Sequence, residues 1–251
     1  MTTRVAVIGA TGKMGRLVCA LVEQSDDFEL VAQLGSANDL ADMLGAEVAV
    51  DVTRPGVSQE VVDYAVDHGL RVLVGTSGWS QERIAALSRR VEGREETGVV
   101  IIPNFSLGSV LATHFATLAA PFYDSIEIIE AHHPAKVDSP SGTAVRTAEL
   151  MSAARAAQGP VSAPHTDQRA RGQQVDGIPV HSLRVAGVLA RQDVILGGGG
   201  ETLTIRHDTT SPSSYEQGIL LALAAARDAI GVTVGLDQLI PLGVPAAGTP
   251  A

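Results

Sequence analysis

Residues 130–143 read EAHHPAKVDSPSGT, a stretch that holds two of the chain's 7 histidines, a lysine and a Ser-Gly-Thr step. Histidine titrates near neutrality and lysine carries a compact charge, so His132 or Lys136 is a competent general acid. The Ser-Gly-Thr step opens a helical run, SGTAVRTAELMSAARAA, and a helix start turns N–H groups toward an anion. The backbone of Gly142 and Thr143, with the Thr143 hydroxyl, makes a carboxylate cradle; Lys136 and a histidine supply counter-charge. A zinc site would need another pattern. Adjacent histidines on a strand point to opposite faces, HExxH spacing is absent, and no cysteines help, so no metal is expected. These residues call for a small, multiply carboxylated molecule that takes up a proton.

A second stretch, GATGKMG, lies between the first apolar run and the first helix. Its Gly9, Gly12 and Gly15 are spaced three and three, a variant of the GxGxxG dinucleotide fingerprint. Glycines tighten such a turn, let the backbone approach a pyrophosphate, and face it with a helix N-terminus. Gly9, Thr11, Gly12, Lys13, Met14 and Gly15 are therefore the expected cofactor contacts, with Lys13 adding positive charge. Two later turns, GTSGW and PNFSLG, fall at strand ends where open α/β sheets bind ligands. Gly75, Thr76 and Ser77, and Pro103, Asn104 and Phe105 with Ser106 beyond them, are expected to meet a nicotinamide. Hydride from such a cofactor plus a proton from the first stretch amounts to a reduction. The end of the second strand, Gly35 to Asp39, leaves NADH and NADPH both open. Asp39 is its only acid, sits late, and is equally placed to cap the next helix.

The elements that must position these residues alternate. VAVIGA, ELVAQLG, VAVDVT, RVLVGTSG and GVVIIPNFS read as strands, with KMGRLVCALVEQS, SQEVVDYAVDHG and SQERIAALSRRVEG as intervening helices, the last capped by Ser80. This is the pattern of a Rossmann-type, doubly wound parallel sheet. From residue 107 the character changes. GSVLATHFATLAAPFY is helical and SIEIIEAHH is a strand, while QGPVSAPHTDQRARGQQVDG reads as a surface excursion. IPVHSLRVAG, RQDVILGG and ETLTIRHD are strands of a mixed sheet. The expected division is a dinucleotide-binding domain over 1–106 and 217–251, and a second α+β domain over 107–216. The last helix, YEQGILLALAAARDAIG, is too apolar for solvent and should pack on the first domain; the tail VPAAGTPA reads as disordered.

Composition limits the alternatives. The 251 residues are 45% apolar, enough for a sizeable core, and the net charge of −10 argues against general nucleic-acid binding. No apolar run is long enough to span a bilayer, and RVAVIGA follows the first residues too closely for a signal peptide, so a soluble cytoplasmic protein is expected. Cys19 is the single cysteine and lies on the apolar face of the first helix. Burial as a small hydrophobe is expected there, which counts against a semialdehyde dehydrogenase with its nucleophilic cysteine. A non-catalytic NAD(P)-binding regulator is the other rival, and it has no need of Lys136.

GATGKMG, GTSGW, PNFSLG and above all EAHHPAKVDSPSGTA resemble the dihydrodipicolinate reductase family, as do GIPVHSLRVAG and GETLTIRHD, over about residues 4–240. The resemblance implies a two-domain, homotetrameric enzyme of lysine and diaminopimelate biosynthesis. It would use NADH or NADPH to reduce dihydrodipicolinate, formed from 4-hydroxy-tetrahydrodipicolinate, to tetrahydrodipicolinate. It implies that the second domain holds substrate and forms the oligomer. His132 and Lys136 match the family's catalytic pair, and His133, Lys136, Ser141, Gly142 and Thr143 match the groups that bind the substrate's carboxylates. Three positions depart from the family pattern. Ala135 stands where many members have histidine, Val52 where phenylalanine is common, and Pro212 lies in a segment that often carries arginine. None of them alters His132, Lys136 or Thr143, so activity is expected to survive.

Overall fold

A computed structural model describes residues 2–242. The chain divides into two compact units, one of residues through Ser106 together with those from Tyr215 onward, the other Leu107–Ser214. The return to the first unit thus comes two residues before the expected 217.

The first unit contains β1 (Thr3–Ile8), α1 (Lys13–Glu23), β2 (Phe28–Leu34), β3 (Val48–Asp51), α2 (Pro55–Asp67), β4 (Arg71–Val74), α3 (Gln81–Val91) and β5 (Gly98–Ile101). After the second unit's elements α4 (Leu107–Ala119), β6 (Ser125–His132), α5 (Gly142–Ala154), β7 (Gln173–Val175), β8 (Ile178–Arg184), β9 (Ala190–Gly198) and β10 (Glu201–Thr209), it resumes with α6 (Glu216–Arg227) and β11 (Gly231–Val234).

The first sheet has 6 strands in the order β11-β5-β4-β3-β1-β2, all parallel. Its strands are apolar on both faces because helices cover both. Ala6, Ile8, Val72 and Val74 join Val61, Val62, Ala65 and Val66 of α2 and Leu87 and Val91 of α3 in one buried layer. The alternate residues Val5, Val7 and Leu73 are equally buried and point the other way, where α1 and α6 pack. The expected docking of the last helix on this unit is thus found, against β4, β5 and α1. Two details differ from the sequence pattern. α2 begins at Pro55, three residues before Ser58, because proline suits the first helical position. β11 was not expected at all, since GVTV is only a short run directly behind a helix, and pairing with β5 makes it a strand. The tail VPAAGTPA lies outside the described residues.

The second sheet runs β10-β9-β6-β8-β7, with β6 and β8 parallel and the remaining pairs antiparallel. Ile126 and Ile128 on β6 pack with Ala116 of α4 and Ala144, Ala148 and Met151 of α5. β7 lies within the expected surface excursion. Asp176 and Gly177, both at positive φ (47° and 82°), close a tight hairpin to β8. The Asp-Gly pair is the sequence signal that marks it.

Candidate active site

The turn after β1 is built by backbone contact. Gly9 has φ 89°, and a Cβ there would lie 2.6 Å from the Val52 carbonyl oxygen. A Cβ at Gly15 would overlap the Gly9 carbonyl and sit 2.7 Å from the Ala10 Cα. Only glycine allows helix and turn to close this far. At the N-cap of α1, Gly12 offers no capping side chain, and the first helical turn contains no acid. Thr11, Gly12 and Lys13 are exposed and Met14 is half-buried. An uncapped helix start beside a turn too tight for any Cβ fits the pyrophosphate of a dinucleotide. At the end of β2 the Asn38 side chain accepts from the Gly35 N–H at 2.9 Å, and the Asp39 carboxylate accepts from the Ala41 N–H at 2.9 Å. Asp39 therefore serves as a cap for the short turn Leu40–Met43.

The loops after β3 and β4 converge on Asp51, which is fully buried. Its carboxylate accepts from the Thr53 N–H at 3.1 Å, the Thr53 hydroxyl at 2.5 Å, and the Ser58 hydroxyl. Ser58 in turn accepts from the Trp79 indole N–H at 3.0 Å. The Gly75 N–H and the Thr76 hydroxyl donate to the Asp51 carbonyl at 2.8 and 3.4 Å. Phe105 is buried beneath Gly75, where a Cβ would lie 2.6 Å from its ring and 3.0 Å from Val52. Among the expected nicotinamide-facing residues, Ser77 and Pro103 are exposed, Thr76 and Phe105 have buried side chains, and the Asn104 side chain accepts from the Ser106 N–H at 2.9 Å. Sequence reasoning did not identify Asp51, Ser58 or Trp79 as the frame of these loops. Cys19 is buried on α1, and burial pushes its thiol up, away from nucleophilic thiolate.

In the second unit, β6 carries Ile126, Ile128, Glu130 and His132 at alternate positions, so all share one face. Glu130 has no exposed surface. Its Oε2 accepts from His132 Nδ1 at 2.6 Å and Arg184 Nη1 at 3.0 Å; its Oε1 accepts from Arg184 Nη2 at 3.0 Å and the Ser141 N–H at 3.2 Å. Burial pushes the Glu130 carboxyl up, but hydrogen bonds from Arg184, Ser182 and His132 outweigh it and hold the group below its ordinary value. Burial lowers His132 and outweighs the attraction of Glu130, with the charges of Lys136 and Arg184 acting in the same direction as burial.

Beyond the strand, His133 is exposed, and the Lys136 N–H donates to the His133 carbonyl at 3.1 Å. Ala135 is exposed within this turn. Lys136 Nζ pairs with Asp138 at 2.8 Å and holds that carboxyl below its ordinary value. Ser141 is buried, and its hydroxyl caps α5 by accepting from the Ala144 N–H at 3.2 Å. Gly142 is exposed, with nothing within 4 Å of where a Cβ would stand, and Thr143 follows half-buried. The structure therefore gathers His132, Lys136 and the start of α5 around one stretch of chain. It adds Glu130 and Arg184, which are not among the expected site residues. Glu130 was legible as the residue two before His132 on a strand; Arg184 lies 54 positions away and was not. Among the described residues, no group of three or more His, Cys, Asp and Glu is placed to hold a metal ion, and no helix is long and apolar enough to cross a membrane.

A Rossmann-type parallel sheet with a glycine-built turn after its first strand, in a chain whose second, mixed-sheet unit carries a histidine and a lysine just before a helix start, defines a two-unit nicotinamide-dependent reductase. Comparison with known proteins narrows the class. Residues 3–105 match the family model "Dihydrodipicolinate reductase, N-terminus" and residues 108–240 match "Dihydrodipicolinate reductase, C-terminus". A 4-hydroxy-tetrahydrodipicolinate reductase of Clavibacter michiganensis subsp. michiganensis is 70% identical over 242 residues, covering 96% of this chain and 87% of the relative. One of Streptomyces griseus subsp. griseus is 47% identical over 247 residues, covering 95% and 98%. The dipicolinate-bound dihydrodipicolinate reductase of Paenisporosarcina sp. TG-14 superimposes with a TM-score of 0.81 at 30% identity, covering 96% of this chain and 100% of that one. The chain belongs to the dihydrodipicolinate reductase family.

Proposed function

We propose that this protein reduces dihydrodipicolinate, formed from 4-hydroxy-tetrahydrodipicolinate, to tetrahydrodipicolinate in lysine and diaminopimelate biosynthesis. The observation that carries this reading is the assembly of His132, Lys136 and the start of α5 in a chain of this family. Bound NADH or NADPH supplies the hydride. Gly9, Thr11, Gly12, Lys13, Met14 and Gly15 hold the cofactor's pyrophosphate; Gly75, Thr76, Ser77, Pro103, Asn104 and Phe105 form its nicotinamide end.

The roles within the second unit follow from its electrostatics. The backbone N–H groups of Gly142 and Thr143 receive a substrate carboxylate at the positive end of α5. His133 and Lys136 add hydrogen bonds and positive charge, while Ser141 contributes by capping the helix. His132 is pushed below its ordinary value by burial and enters turnover neutral at pH 7. Lys136 is then the cation available to deliver the proton, its Nζ–H breaking as the substrate's new bond to hydrogen forms, and solvent restores it. Asp138 holds Lys136 until a substrate carboxylate competes for the ammonium group.

The second unit also exposes Leu183, Val185, Leu189 and Leu203. These exposed apolar side chains support an oligomer built through that unit, a homotetramer, which light scattering measures directly. Cytoplasmic residence belongs to the same reading.

The test is oxidation of NADH and of NADPH by the folded protein with freshly generated 4-hydroxy-tetrahydrodipicolinate. Turnover with either cofactor supports the proposal and their ratio sets the preference. Cofactor binding without turnover on either would replace the enzyme with a regulator.

A further inference from the structure

Glu130 is a carboxylate with no exposed surface, taken out of water at a cost only its partners offset. Besides Ser182, those partners divide into two groups. One is the histidine of the candidate site, with Nδ1 at 2.6 Å. The other is the frame of the substrate loop: the Ser141 N–H, one position before α5, at 3.2 Å, and the two ends of the Arg184 guanidinium at 3.0 Å each. Arg184 reaches on to the Asp138 carbonyl at 2.5 Å, so the same cation holds the loop that carries Lys136.

An ionised carboxylate has no proton to give, so the short bond to His132 requires the proton on Nδ1. In neutral imidazole the proton is then absent from Nε2, which is left as an acceptor. Arg184 neutralises the carboxylate, so Glu130 orients the ring without drawing a second proton onto it. We propose that the buried Glu130–Arg184 pair is the positioning element of this site, fixing His132 in the Nδ1–H tautomer with Nε2 as acceptor and tying that ring to the start of α5. The proposal rests on the reductase reading above. It explains why two groups able to donate protons stand together: His132 presents an acceptor, and Lys136 is the donor.

The first measurement needs no substrate. The imidazole nitrogens of the folded wild-type protein are read by NMR at pH 7.5, with His132 assigned from the signals lost in His132→Gln. A protonated Nδ1 and an unprotonated Nε2 are expected; the opposite tautomer overturns the proposal. The second uses Glu130→Gln, which keeps the shape and removes the charge. Loss of an orienting partner on a functional histidine costs on the order of tenfold to a hundredfold, expected here in kcat, with KM for NAD(P)H unchanged. Glu130, Lys136 and Arg184 are the charged groups facing His132, and Glu130 is the one that favours its protonated form. Its neutralisation should therefore move the acid limb of the rate profile to lower pH. An unchanged kcat and acid limb overturn the proposal, and so does a slower enzyme that keeps the wild-type tautomer. If Glu130→Gln does not fold, the wild-type tautomer decides. A wild-type protein without turnover on either cofactor would instead defeat the reductase reading, whatever the tautomer.

Discussion

The starts of α1 and α5, to which the proposed function gives the cofactor's pyrophosphate and a substrate carboxylate, are built by opposite means. At α1 the N-cap is Gly12, no side chain caps the helix, and the turn is compressed until Gly9 and Gly15 leave no room for a Cβ. At α5 the N-cap is Ser141, whose hydroxyl already serves Ala144, and whose own N–H is held by a buried glutamate. The first cradle is shaped by what its residues lack, the second by side chains that arrive from β6 and β8. A pyrophosphate needs close backbone approach and little else. A substrate that must be protonated needs its carboxylate and its proton donor fixed in one frame.

The contrast can be broken most severely at α1. Gly15→Val pushes a branched side chain into the Gly9 carbonyl and Ala10, both backbone, which cannot turn aside. We expect a loss of about 3 kcal/mol or more of unfolding free energy and no measurable NAD(P)H binding, read by thermal melts and calorimetry. Next comes Lys136→Ala, with kcat reduced on the order of a hundredfold or more while the fold and cofactor affinity are retained. An unchanged rate would remove Lys136 from proton delivery. A third substitution gives α1 the kind of cap that α5 has. Gly12→Ser places a hydroxyl over the N–H groups assigned to the pyrophosphate, with its Cβ at 3.3 Å from the Gly9 carbonyl oxygen. NADPH binding should weaken about tenfold, a shift of about 1.4 kcal/mol, without loss of helix. Tighter binding would show that α1 does not receive the anion. The smallest effect is at α5. Ser141→Ala removes the cap but leaves the N–H to Glu130, so we expect about 1 kcal/mol of lost stability and a modest rise in substrate KM with kcat little changed.

The two regions also differ in how far they could be read from the residues alone. GATGKMG announces its structure because a backbone that must approach another backbone requires glycine, and glycine is visible. The same holds for Ser80, whose side chain caps α3 as its position implied. Ser58 looked like the start of α2 but is instead a buried ligand of Asp51 inside a helix begun at Pro55. Asp51 looked like the end of a strand, and its role became apparent only when Thr53, Ser58 and Trp79 were brought around it. Asp39, equally able to bind a ribose or to cap, is engaged as a cap by the local N–H of Ala41.

What the residues determined unaided was local: period-two and helical patterns, glycine turns, helix caps, and a histidine and lysine beside a helix start. From these follow the alternating first unit, the mixed second sheet and the chemistry of proton and hydride. Tertiary structure decided whatever depends on a partner remote in sequence. It made GVTV a sixth strand by pairing it with β5. It also turned Glu130 from one more polar residue into the carboxylate that joins His132, Ser141 and Arg184. The physical reason is that a buried charge is tolerable only where its counter-charge is delivered, and that delivery depends on β6 and β8 lying side by side.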